Sequence, residues 1–143
     1  MVFKEVCRDL FSVNFKKYTP AHCISQDCHM GAGIAVPMKK KFKLSGLKNA
    51  IDNLEVPLTI PNTFYHNGVL NLITKKKYWH KPTYDSMGMA LAGMFLLAQQ
   101  HNIKYIAMPK IGCGLDGLSW PRVRQMIQEV FEETDIEILV CHK

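Results

Sequence analysis

The segment from Tyr105 to Gly117 limits the possible fold more than any other. An apolar stretch, Tyr105-Ile106-Ala107-Met108, runs straight into Pro109-Lys110-Ile111-Gly112-Cys113-Gly114-Leu115-Asp116-Gly117, and a helical pattern opens at Ser119. A strand, a glycine-rich turn and a helix in that order form the repeating unit of α/β folds. Gly112 and Gly114 allow the backbone to turn its N–H groups inward, making an anion cradle where a side chain would block a phosphate. Ser119 reads as the cap of a helix whose positive end faces the same way. Many α/β connections turn on glycine for steric reasons alone, so the loop leaves both readings open. Asp116 favours the functional one: a carboxylate beside an anion cradle repels the ligand, and so fits chemistry better than affinity.

The other segments extend the same pattern. Val2 to Val6 reads as an opening strand, and Asp9-Leu10-Phe11 as the turn after it. Asp9 then stands at a strand's carboxyl end, where it either caps the turn or accepts a hydrogen bond from an exocyclic amine such as adenine's. Ala21 to Ser25 is a second strand, followed by a loop through Gly31-Ala32-Gly33 into a helix from Ile34 to near Phe42. Two glycine turns converging on one ligand suggest a diphosphate. Leu44 to Leu54 has the spacing of a short helix. Asn67-Gly68 between Thr63–His66 and Val69–Thr74 predicts a hairpin whose second arm delivers Lys75. Thr83 caps a helix to Gln100, with Met87, Ala90, Leu91, Met94, Leu97 and Ala98 on its buried stripe. A last helix, Ser119 to Thr134, and a buried strand, Ile136 to Cys141, close the chain. This order implies an α/β protein: one three-layer α/β/α domain over residues 1–143 with a central mixed sheet.

Composition narrows the partners. The formal charge is +6, concentrated at Lys39-Lys40-Lys41 and Lys75-Lys76-Lys77. It favours an anionic partner, which a phosphate-bearing small ligand satisfies as well as nucleic acid does. Tyr78-Trp79-His80 follows the second lysine run and could stack bases as a single-strand binder does, although the pattern is short and unrepeated. No apolar run reaches a membrane span, and Met1-Val2-Phe3 leads straight into charged residues, so an intracellular protein with no membrane partner is expected. Five cysteines without a C-x-x-C pair fit reduced thiols. His22, Cys23, Cys28 and His29 match no common zinc spacing, and neighbours on a strand face opposite ways; no metal and no cofactor are expected.

Four separated pieces of the sequence resemble the macro domains, and within them a branch that removes ADP-ribose from proteins. They are Arg8-Asp9-Leu10-Phe11; Ala21-His22-Cys23-Ile24-Ser25 with Asp27-Cys28 and Met30 to Ala35; Leu72 to Lys76 with His80 to Tyr84; and Met108-Pro109 with Ile111 to Asp116. The resemblance implies a macro fold that binds ADP-ribose. Asp9 and Leu10 would lie at the adenine, Gly31, Ala32 and Gly33 near the distal ribose, and Lys110, Ile111, Gly112, Cys113, Gly114 and Leu115 at the diphosphate. Ser25, Ile34, Thr74 and Pro109 complete the expected ligand contacts. It implies Lys75 as nucleophile and Asp116 as acid/base.

Arg8 stands where the family usually has glycine, Gly117 replaces a larger residue, and His142-Lys143 replaces an apolar and hydroxyl end. The implied partners are ADP-ribose and ADP-ribosylated protein, with ADP-ribosylated nucleic acid as a further acceptor, and a monomer is expected. A non-catalytic ADP-ribose reader and a deacylase of O-acyl-ADP-ribose are the alternatives. Cys113 as nucleophile has no assignable histidine partner. An amine attacks only as the free base, and a free lysine keeps its proton up to about pH 10.4. Nearby Lys76 and Lys77 would lower that value and an ionised Asp116 would raise it, so sequence leaves the sign of the shift open.

Overall fold

A computed structural model describes residues 1–143. The strands are β1 (Val2–Cys7), β2 (Thr19–Ser25), β3 (Asn62–His66), β4 (Val69–Lys75), β5 (Tyr105–Met108) and β6 (Glu137–His142). The helices are α1 (Ala35–Lys41), α2 (Leu47–Asp52), α3 (Tyr84–Gln100) and α4 (Trp120–Phe131). Short 3-10 turns cover Leu10–Ser12, Leu44–Gly46 and Gly114–Asp116.

One six-stranded sheet has the order β1-β6-β5-β2-β4-β3. Every neighbouring pair is parallel except β3 with β4, which the expected hairpin makes antiparallel. Asn67 (φ 49°) and Gly68 (φ 73°) both take left-handed backbone at that turn, which twists with the strands it joins. Thr83 caps α3 as expected: its hydroxyl accepts from the Ser86 N–H, and the Ser86 hydroxyl accepts from the Thr83 N–H.

The sheet has a hydrophobic layer on each face. Leu70, Leu72, Ile106, Met108, Ile138 and Val140 pack against α3 and α4 through Met87, Leu91, Met94, Val123, Ile127 and Phe131. The alternate residues Val69, Ile73, Ala107, Leu139 and Cys141 pack against α1 and α2 through Met38, Leu47 and Ile51. This two-residue alternation produces the three-layer α/β/α architecture. Leu97 lies only half-buried at the rim of the α3 stripe.

The parallel strands place their carboxyl ends on one edge. Asp9, the loop after Ser25, Lys75, the loop after Met108 and His142-Lys143 therefore all meet there. That edge is the usual ligand crevice of open α/β sheets.

Candidate active site

A cleft of about 530 Å³ opens on this edge, between the loop from Ser25 to Ala35 and the loop from Pro109 to Asp116. A second hollow of about 350 Å³ adjoins it, sharing Ile34, Pro109 and Lys110, and is closed by Arg8, Asp9, Leu10 and His142-Lys143. Each volume falls within the size of ligand pockets. The two hollows make one continuous groove.

In the wall of the cleft, Lys75 Nζ donates to Asp116 Oδ1 at 2.7 Å. The two side chains are 13% and 19% exposed, so the pair is shielded without being sealed. A β-bulge explains how a strand residue reaches the cleft. The β2–β4 ladder pairs Ile24 with Ile73 but Ser25 with Lys75, leaving Thr74 as the extra residue. A bulge bends its strand and re-aims the next side chain. The Gln26 N–H, donating to the Lys75 carbonyl at 2.9 Å, then fixes the strand end. Asp116 closes a 3-10 turn, and the ammonium of Lys81 donates to the carbonyl of Leu115 immediately before it. Both members of the pair are thus held through their backbones.

Asp27 organises the first loop. Burial would raise its pKa, but hydrogen bonds from the Ser25 hydroxyl and from the N–H groups of Tyr78 and His29 outweigh this and hold the carboxyl below the usual range. An ionised Asp27 ties Ser25, His29 and Tyr78 into one unit. The thiols behave differently. Burial pushes Cys113 up, and burial with the Asp116 charge pushes Cys23 up further. The Cys113 thiol donates instead to the Ile111 carbonyl at 3.4 Å. Scarce thiolate argues against a cysteine nucleophile.

Two expectations need correction. A β-carbon on Gly112 would not enter the ligand space: it would lie 2.5 Å from Met87 Cε and 3.0 Å from Leu118 Cδ1, toward the core. Gly112 is required by packing and by φ +73°, whereas Gly114 (φ +80°) has open space and is required by backbone conformation alone. Ser119 occupies the N-cap position of α4 but makes no side-chain cap bond, and neither it nor Trp120 lines the cleft. Its N–H donates to the Tyr84 hydroxyl at 2.9 Å, so the start of α4 is tied to α3 rather than aimed at the ligand space. Pro121 and an extended Ser119 suffice to start the helix.

Most residues selected from the sequence come together. Ser25, Gly31, Ala32, Gly33, Ile34, Lys75, Asp116 and the run Pro109, Lys110, Ile111, Gly112, Cys113, Gly114 and Leu115 all line the larger cleft. Asp9 and Leu10 line the adjoining hollow. There Asp9 also caps its own turn, accepting from the Phe11 N–H at 3.0 Å, and lies 3.5 Å from the Lys143 ammonium. Thr74 lines neither: the bulge buries it, and its hydroxyl has no partner. Cys23, His29, Tyr78 and Lys81 also line the cleft and were not selected. Hydrogen bonds to the Asp27 carboxylate hold the His29 and Tyr78 backbones beside it, contacts that no local pattern in the sequence reveals.

The macro domain family model matches residues 65–127. The human protein "ADP-ribose glycohydrolase OARD1" is 44% identical over 136 residues, covering 92% of this chain and 86% of that one. The "DNA ADP-ribosyl glycohydrolase" of Thermus aquaticus is 28% identical over 125 residues, 78% of this chain but 33% of that protein. Among solved structures, the macrodomain of Mycobacterium tuberculosis DarG superposes with a TM-score of 0.84 at 21% identity, covering 99% of this chain and 98% of that one. A shared sheet order alone leaves function open, but 44% identity along nearly the whole chain, with the cleft on the expected edge, fixes the family. The chain belongs to the macro domains.

Proposed function

We propose that the groove holds ADP-ribose and that the chain removes it from acidic side chains or related esters through a covalent adduct on Lys75, resolved with Asp116. The chain is an ADP-ribose glycohydrolase, a hydrolase acting on glycosyl bonds, by its kinship with the relatives of that name. The observation that carries the finer reading is the 2.7 Å contact between Lys75 and Asp116 at the wall of the cleft. A reader without activity needs the glycine loops but has no use for a paired amine and carboxylate.

The chemistry follows from that contact. Asp116 takes a proton from the Lys75 ammonium, leaving a free amine. The nitrogen lone pair bonds to the anomeric carbon of the distal ribose while the bond from that carbon to the ester oxygen breaks, its electrons leaving with the carboxylate. Asp116 returns its proton to the departing carboxylate and is ionised again. It then accepts a proton from water as the water oxygen attacks the anomeric carbon. The carbon–nitrogen bond breaks, Nζ keeps the electron pair, and the proton on Asp116 restores the ion pair. One ester and one water become one carboxylic acid and free ADP-ribose. Lys110 and the N–H groups of the Pro109 to Leu115 loop oppose the diphosphate charge.

The test is release of free ADP-ribose from glutamyl-ADP-ribosylated protein. The native enzyme is expected to release it, and Lys75→Ala to bind ADP-ribose while releasing none. Release by Lys75→Ala at the native rate would refute the adduct.

A further inference from the structure

The hollow that adjoins the cleft carries more positive charge than an adenosine can use. Arg8, Lys110 and Lys143 line it against a single carboxylate, Asp9. Lys110, shared with the cleft, opposes the diphosphate, but the adenosine beyond it is neutral. Asp9 is already answered within the protein: Oδ1 accepts from the Phe11 N–H at 3.0 Å, and Oδ2 lies 3.5 Å from the Lys143 ammonium. Arg8 takes part in none of the ion pairs. Neutral oxygens hold it instead. Its Nε donates to Ser12 Oγ at 2.9 Å and its Nη2 to the Ser12 carbonyl at 2.8 Å, while the Ser12 hydroxyl donates to the Asp9 carbonyl at 2.6 Å. These bonds use two of the five guanidinium N–H donors, and the rest have no protein partner. An arginine fixed in this way keeps its whole charge for an anion and loses little further freedom on binding one.

Position narrows the identity of that anion. With the diphosphate on the Pro109 to Leu115 loop and the adenine at Asp9, the adenosine ribose falls where the two hollows meet, beside Ile34, Pro109 and Lys110. The groups of that sugar free to carry a phosphate are its 2′ and 3′ hydroxyls. We propose that the hollow binds a phosphate monoester on the adenosine ribose, so that the chain takes ADP-ribose phosphorylated on that sugar in preference to ADP-ribose itself. In dinucleotide-binding folds an acid beside the ribose bonds a free hydroxyl, whereas a nearby arginine accommodates a phosphate there. This chain sets the two side by side, Asp9 and Arg8, and Lys143 offsets the repulsion between Asp9 and the phosphate. A planar guanidinium can meet two phosphate oxygens at once. The inference rests on the proposed placement of ADP-ribose along the groove.

The test titrates the native enzyme calorimetrically with ADP-ribose, AMP, adenosine 2′,5′-bisphosphate and adenosine 3′,5′-bisphosphate. At least one bisphosphate should bind about tenfold or more tightly than AMP, as expected for charge-assisted bonds to one added phosphate, and the better of the two identifies the hydroxyl. ADP-ribose should displace it, which puts both ligands in one groove. The ratio of the bisphosphate and AMP affinities should shrink as salt rises. Arg8→Gln should bring that ratio near one, and Arg8→Lys should keep part of it. Lys143→Gln should also lower it, and because Lys143 bonds nothing but Asp9, this variant leaves the turn after β1 in place. Bisphosphates that bind no tighter than AMP, a ratio that is the same in the native enzyme and all three variants, or a bisphosphate that ADP-ribose fails to displace would overturn the proposal. Binding of ADP-ribose alongside the first of these results would leave the glycohydrolase reading standing, whereas binding of neither ADP-ribose nor a bisphosphate would overturn both.

Discussion

Replacing Gly112 and Gly114 singly by alanine separates two reasons for a glycine in one loop. Both residues sit in left-handed backbone, at φ +73° and +80°, so each alanine carries the same conformational cost of about 1 kcal/mol. Each also loses the same unfolded-state freedom, which cancels in the comparison. At Gly114 nothing lies near the added carbon. At Gly112 the carbon would lie 2.5 Å from Met87 Cε, and Met87 is fully buried. An ordinary carbon contact is about 3.5–4.0 Å, so Cε must retreat by roughly 1 Å within a packed core. Overpacking of that kind costs about 1–3 kcal/mol. Urea denaturation should therefore place the Gly112→Ala midpoint about 1 M below that of Gly114→Ala with the same slope, for a gap of about 2 kcal/mol. Folded Gly112→Ala should still bind ADP-ribose, because the methyl points at Met87 and Leu118. Equal midpoints, or a folded Gly112→Ala protein that has lost ADP-ribose, would refute this assignment.

Two further predictions concern buried side chains. His22 is fully buried, with Nε2 2.7 Å from Asn71 Oδ1 and Nδ1 without a partner, and burial lowers its pKa to about 4. Between the unfolded value of about 6.5 and pH 4 only the unfolded chain binds this proton, so stability is present above that window and falls as pH falls through it. The loss should approach about 3 kcal/mol by urea titration at pH 7 and pH 4, and His22→Leu should lack this part of the acid dependence. Cys113→Ala should keep most of its activity on modified protein, since the thiol packs the loop and its pKa is raised by burial. Loss of activity with normal ADP-ribose binding would restore the cysteine-nucleophile reading.

Local signals in the sequence were reliable where backbone chemistry decides the structure. Asn67-Gly68 defined the hairpin and Thr83 the start of α3, because left-handed turns and capping oxygens act within four residues. Short apolar runs marked the strands, and their order with the helices implied the three layers. What lay beyond local reading depended on contacts distant in the chain. The sheet order β1-β6-β5-β2-β4-β3 is not sequential, and the bulge at Thr74 exists only because β2 pairs with β4. The same bulge buried Thr74 and turned Lys75 outward. Gly112 looked like a ligand-facing glycine because Met87, 25 positions earlier, is invisible as its neighbour until α3 packs on the sheet. His29 and Tyr78 joined the cleft through Asp27, a residue that the sequence marks only as a loop acid.

The central claim is that Lys75 attacks and Asp116 resolves, and intact-protein mass measurement of Asp116→Ala tests it most directly. Asp116→Ala leaves the Lys75 nucleophile in place, and a carboxylate departs unaided, so the adduct can form. Its hydrolysis lacks the base that activates water. After mixing with glutamyl-ADP-ribosylated protein, Asp116→Ala should accumulate with the added mass of one ADP-ribose, mapped to Lys75, and the double variant with Lys75→Ala should gain none. Normal turnover by Asp116→Ala, or an adduct on Lys76 or Lys77, would contradict the account.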